Sequence, residues 1–144
     1  MVDFDAAIAR LQSEVSDLRS VQGAAEYKAL VDGDTVPQQD PAAYVIPLGL
    51  RGAQPDVVSG LFRQQIAESI GVVLFLRGHD AHGARALADI RPFIDTVISA
   101  IAGWQSSDEI GVFQLSRGAL IGIKAGLLSY QIDFAIIDQL RIAT

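Results

Sequence analysis

The sequence predicts an α+β domain: a single, mostly antiparallel sheet of about five strands with two main helices packed on it. Three observations lead there. In GARALADIRPFIDTVISAIAGW (Gly83–Trp104), the residues Leu87, Ile90, Phe93, Ile94, Val97, Ile98, Ile101 and Trp104 fall on one arc of roughly 140° at about 100° per residue. Asp89, Thr96 and Ser99 lie opposite, so this helix has one apolar and one wet face. Near the other end of the chain, Leu128, Tyr130, Ile132, Phe134 and Ile136 alternate with Ser129, Gln131 and Asp133, the pattern of an antiparallel strand with one solvated face. Finally, the elements run helix, short helix, two strands, helix, three strands, which favours segregated helices over a parallel α/β sheet. No repeat, low-complexity run or linker divides residues 1–144, and the length suits one domain.

The first helix spans residues 3–20, with Phe4, Ile8, Leu11, Val15 and Leu18 forming a narrow seam and Asp3 as N-cap. Gln22–Val31 predicts a short helix ended by Gly33, and Asp32–Pro41, with two prolines and three aspartates, a loop. Ala43–Arg51 predicts a strand with Tyr44, Ile46, Leu48 and Leu50 on one face; Pro47 lacks an amide proton and places it at an edge or a bulge. The connection Gly52–Gly60 carries Val57 and Val58 where a solvent loop is expected to be polar. Leu61–Arg77 is a long strand with Ile66, Glu68, Ile70, Val72, Leu74 and Leu76 on one face. Its later part, GVVLFLR, is apolar on both faces and so is covered on both. Its earlier part, FRQQIAES, is mixed and projects as a hairpin arm with the preceding strand. After the long helix, with Asp80 placed to cap its start and Pro92 to bend it, come three short strands, Val112–Ser116, Ala119–Lys124 and Leu127–Ile137, with turns at Gly118 and Gly126. Asp138–Thr144 is a tail.

Composition excludes several functions. Hydrophobic residues make up 50% of the chain and charged residues 19%, rich enough in apolar surface to favour oligomers. The net charge of −6 gives no bulk attraction for nucleic acid or anionic membranes. Cysteine is absent, which rules out disulfide and thiolate chemistry. The acidic start, MVDFDAAIAR, is unlike a signal peptide, and no apolar run reaches membrane-spanning length. A soluble, cytoplasmically made chain is expected.

The strongest candidate for chemistry is His79-Asp80-Ala81-His82, which holds both histidines. Two imidazoles and a carboxylate can bind a metal if a fourth ligand arrives from elsewhere, but the spacing is not the helical i, i+4 pair of a zinc site. A strand-to-helix loop with a capping aspartate accounts for it better. Nucleophile elbows and phosphate-cradling glycine loops are missing. Glu68 sits among apolar positions and is expected either buried with a raised pKa or, more simply, at the sheet rim or paired with Arg63 or Arg51. Asp133 and Asp138 add acids near the last strand. No catalytic residue, cofactor or metal site is assigned, and no enzyme activity is expected.

Four stretches, AAYVIPLGLRG, ESIGVVLFLRG, GARALADIRPFIDTVISAIAGW and LSYQIDFAIIDQLRI, in that order resemble the tail terminator (tail completion) proteins of long-tailed bacteriophages and prophages. The resemblance covers most of the chain from Ala42 onward and rests on fold-bearing segments. It implies a small α+β structural protein of the virion's tail–neck region, made in the bacterial host cytoplasm. Such a protein assembles as a ring, expected to be hexameric, on the head-proximal end of the tail tube, stops tube polymerisation and presents a surface for head–tail joining. Its partners would be copies of itself, the tail tube protein and connector or neck proteins, with no sequence-specific nucleic acid binding, no membrane, and DNA passing through the ring. The expected contacts are Arg51, Val57, Val58, Leu61, Phe62 and Arg63 of the hairpin, and Leu140, Arg141 and Ile142 of the tail. A neck connector or tube subunit would share these features; a small non-viral binding domain or enzyme is the alternative of a different class.

Overall fold

The computed structural model describes residues 1–78 and 84–143. Its elements run α1 (Phe4–Glu14), β1 (Ser20–Gln22), α2 (Ala24–Asp32), β2 (Ala42–Gly52), β3 (Asp56–Val58), β4 (Leu61–Arg77), α3 (Ala84–Ile101), β5 (Gln114–Lys124) and β6 (Leu127–Ala143). The strands form one sheet in the order β1-β2-β4-β6-β5, and β3 pairs with β4 in line with β2. All pairings are antiparallel except β1 with β2. The α+β class is as expected, with six strands instead of about five, and the short helix expected over Gln22–Val31 is α2 at Ala24–Asp32.

The local signals act where they were read. Asp3 caps α1, its carboxylate accepting from the Ala6 amide at 3.0 Å. Glu26 Oε2 accepts from the Gly23 amide at 3.2 Å at the start of α2, and the Gly33 amide donates to the Ala29 carbonyl at its end. But α1 stops at Glu14 rather than running to residue 20, because the chain must extend to place Ser20–Gln22 beside Ala42–Tyr44. Val15 and Leu18 keep their seam positions in the core without being helical. In α3, Ile90, Val97, Ala100 and Ile101 are buried and Phe93, Ile94 and Ile98 pack at the margin, while Leu87 is half exposed. Asp80 and the His79–His82 loop lie outside the described residues.

The main core lies between α1, α3 and one face of the sheet, built from alternate residues of β4 (Ile70, Val72, Leu74, Leu76) and β6 (Leu128, Ile132, Phe134, Ile136). The other face of β4 is covered by α2, where Tyr27, Tyr44 and Phe75 pack in sequence, the first pair tilted and the second edge-to-face, each with ring centroids 5.6 Å apart. The double-sided apolar run GVVLFLR is thereby explained.

Three expectations fail, each through long-range pairing. First, Gly118 makes no turn: β5 is one strand from Gln114 to Lys124, with Gly118 opposite Ile132. A Cβ there would meet Tyr130 Oη at 2.8 Å, so the glycine makes room for a ring. Register shifts near Ser116 and Ile121 let the strand bend. The true reversal is the two-residue turn Ala125-Gly126, with φ of 51° and 75°, the backbone that right-twisted hairpins prefer. Second, residues 138–143 are no tail. They continue β6, which pairs with β4 along its whole length, from Arg77↔Leu127 to Leu61↔Ala143. Third, Tyr44, Ile46, Leu48 and Leu50 do not share one face, because β2 carries the expected bulge between Pro47 and Gly49. The inserted residue changes which face follows: Tyr44 and Ile46 lie on the α2 side, whereas Leu50, opposite Glu68, lies on the α1/α3 side.

Candidate assembly surface

The projecting arm is three strands wide rather than a two-stranded hairpin. Its spine is the start of β4. On one side β3 pairs Asp56↔Arg63, Val57↔Phe62 and Val58↔Leu61. On the other, β6 pairs Gln64↔Leu140, Arg63↔Arg141 and Phe62↔Ile142. The hairpin and tail candidates, about eighty residues apart in sequence, thus share one surface. Arg51 joins them at the base, opposite Ala67.

The register divides this arm into two unlike faces. Residues opposite one another in an antiparallel pair point the same way. On the α1/α3 side stand Leu50, Val57, Phe62, Leu140 and Ile142; Leu50 is 58% exposed, Val57 68% and Ile142 52%. On the α2 side stand Arg51, Leu61, Arg63 and Arg141. Arg63 bridges Asp56 at 2.6 Å, and Arg141 Nε donates to Gln139 Oε1 at 2.8 Å. The Nε of Arg63 is buried without a hydrogen-bond partner.

At the base of the apolar face, acids tie down the start of the chain. The Met1 ammonium lies 2.7 Å from Asp138 Oδ2, and Glu68 Oε1 accepts from the Val2 amide at 2.8 Å. Ser107 donates to the Met1 carbonyl, and Glu109 accepts from Ser106 Oγ and the Ser107 amide. Glu68 is therefore buried but pairs with neither Arg51 nor Arg63, which lie on the opposite face of the sheet. The hydrogen bond to Asp138 raises the ammonium's pKa against the effect of burial. For Asp138 burial pushes upward, but the ammonium and the Gln139 amide overcome it, and its pKa falls. Asp133 lies elsewhere, on the α2 side, accepting from Gln131.

Among the described residues no group of three or more His, Cys, Asp or Glu could hold a metal, and no helix is long and apolar enough to cross a membrane. A shallow cavity of about 210 Å³ lies between α2 and the β5–β6 turn, lined by Tyr27, Leu30, Phe75, Ile121 and Leu127. Its lining is mostly hydrocarbon, with the Lys124–Asp34 ion pair, Thr35 and Ser129 as its polar part. One surface escaped the sequence analysis: Leu115, Leu120 and Ile123 stand about half exposed on the α1/α3 side of the edge strand β5. Placing a turn at Gly118 concealed this row.

A family model described as "Phage tail terminator protein" matches residues 1–143 of the chain. No curated protein matches it significantly.

Proposed function

For a chain that belongs to the phage tail terminator family, and so is a structural component of a bacteriophage tail, we propose the role of a ring that caps the head-proximal end of the tail tube. Copies join by heterologous, head-to-tail contacts that close on themselves, expected as a hexamer. The ring ends tube polymerisation, and its other side takes the connector or neck proteins. The observation that carries this proposal is the arm: apolar side chains from β2, β3, β4 and β6 are gathered on one projecting, mostly solvent-exposed face. An exposed apolar patch of this kind marks an interaction surface. We assign that face, with Val57, Leu50 and Ile142 most exposed, to the end of the tube. The channel passes DNA without binding its sequence, in keeping with the acidic balance of the chain, since negative walls repel phosphate.

Electron microscopy of particles made without the protein tests the role. Overlong tubes are expected. Tailless heads beside tails of normal length would instead identify a neck connector, and absence of tubes a tube subunit. In a second test, Val57→Asp combined with Val58→Asp should abolish capping while the chain stays folded. Normal capping by that variant would remove the arm from the mechanism.

A further inference from the structure

We propose that the arginine face of the arm is the seam to the next copy of the chain, and that its counterpart is the acidic end of α1 on that copy. The proposal deepens the ring assembly above and presupposes it. Arg51, Arg63 and Arg141 lie on one side of the sheet, with Asp56 as the arm's single acid. Arg63 and Arg141 stand directly opposite each other on adjacent strands. Like charges so placed destabilise a sheet, and Asp56 compensates only one of them. This patch belongs to a chain of net charge −6, so the rest of the molecule carries a larger negative excess.

The complementary surface is on the other side of the fold. Glu14 and Asp17 are exposed at the C-terminal end of α1, where the helix dipole is also negative and no basic residue occupies the last turn. Arg10 offers Glu14 only a long 3.5 Å contact, because its guanidinium is turned toward the Ala100 carbonyl and Trp104. Beside these acids is a cleft of about 110 Å³ lined by Ser16, Pro92, Phe93 and Thr96. An arginine laid there meets carboxylates with its planar donor fork and an aromatic ring with its face. Arm and cleft lie on opposite sides of the sheet, so one contact leaves both partners with a free half, the requirement for a closed head-to-tail ring. Charge also decides against DNA as the partner: an arginine row in the channel would hold the phosphates that must pass.

The test is assembly on purified tail tubes, read by sedimentation and electron microscopy. Arg51→Glu with Arg141→Glu should lower ring occupancy at least tenfold at 0.1 M salt with the melting temperature unchanged. Adding Glu14→Arg and Asp17→Arg to the same chain should restore it, because every seam again joins opposite charges. Wild-type rings should also weaken between about 0.1 and 1 M salt, as the screening length falls from about 10 to about 3 Å; an apolar seam would hold. Rings that form normally from the doubly reversed arm, or a loss that the α1 changes fail to rescue, would overturn this seam while leaving the ring intact. Loss of binding to a short DNA duplex with unchanged rings would assign the patch to phosphate instead. Failure of the wild-type protein to form rings on tubes at any salt would overturn the assembly itself.

Discussion

Arg10 is expected to be the most consequential charged residue for the stability of the fold. It leaves α1 and ends on α3, and it makes three contacts at once. Its Nε donates to the Ala100 carbonyl at 2.9 Å, one of the last carbonyls of α3, which lack partners within the helix. Its guanidinium lies 5.4 Å from the centre of the Trp104 ring, itself stacked on Phe113 at 6.0 Å. It also makes the long contact with Glu14 already described. A hydrogen bond from a charged donor contributes about 1.5 kcal/mol at its low end, and a cation at a helix C-terminus or over an exposed aromatic ring about 0.5 kcal/mol each. With the side chain one-third exposed (34%), solvent offsets part of this, and Arg10→Ala should cost about 2 kcal/mol. Arg10→Lys keeps the charge but loses the planar fork, and should cost about 1 kcal/mol. Urea unfolding should show a lower midpoint at unchanged slope, and thermal unfolding a fall of about 4–8 °C for Arg10→Ala. If Arg10→Ala stays within about 0.5 kcal/mol of the parent, the level of an ordinary surface substitution, the contacts do not couple the two helices. A lysine as damaging as alanine would show that charge at the helix end contributes nothing.

Two further outcomes follow from the same physics. The Met1–Asp138 pair makes the stability of the parent relative to Asp138→Asn depend on pH. The ammonium's raised pKa gives stability that is full below its ordinary 8.0 and lost as pH rises through the folded value; the lowered Asp138 pKa gives stability present above its ordinary 3.8 and lost as pH falls through the folded value. The difference between the two proteins should be a plateau between these limits that declines on both sides in pH-resolved urea titrations; a difference independent of pH would contradict it. Ala125 holds a left-handed backbone with φ of 51°, which costs a residue with a Cβ, so Ala125→Asn should stabilise the hairpin by about 0.5–1 kcal/mol. Calorimetry giving an unchanged or lower melting temperature would exclude that account.

Much of the fold was legible because its signals are periodic and local. The parity of β4 from Ile66 to Leu76 and most of the buried face of α3 follow from spacing alone, since a buried stripe must repeat with the period of its element. What was missed depends on partners. Gly118 signals a turn by type, yet its role is to accommodate Tyr130 from the neighbouring strand. Asp138, Gln139 and Arg141 break the apolar alternation and suggest a tail, but pairing with Ile66, Gln65 and Arg63 makes them strand. The candidate contact residues were found in two separate groups. Their division into an apolar and a cationic face was hidden, because Arg51, Arg63 and Arg141 sit on three strands whose common side is fixed only by register and by the bulge at Pro47–Gly49. Glu68 was expected to seek an arginine; its actual partner is a backbone amide near the start of the chain, which no side-chain pattern encodes.

The unbroken pairing of β4 with β6 has a mechanical consequence. Seventeen residues of each strand, at about 3.3 Å per residue, make a ladder about 55 Å long that begins in the core and ends in the arm. Bending the arm would require breaking bonds continuous with the best-buried part of the molecule. The arm thus behaves as a stiff lever rather than a tethered flap, and its side chains are held in position before any partner arrives. Docking then sacrifices little chain freedom, and a load applied at the tip is carried along the strands into the body of the domain.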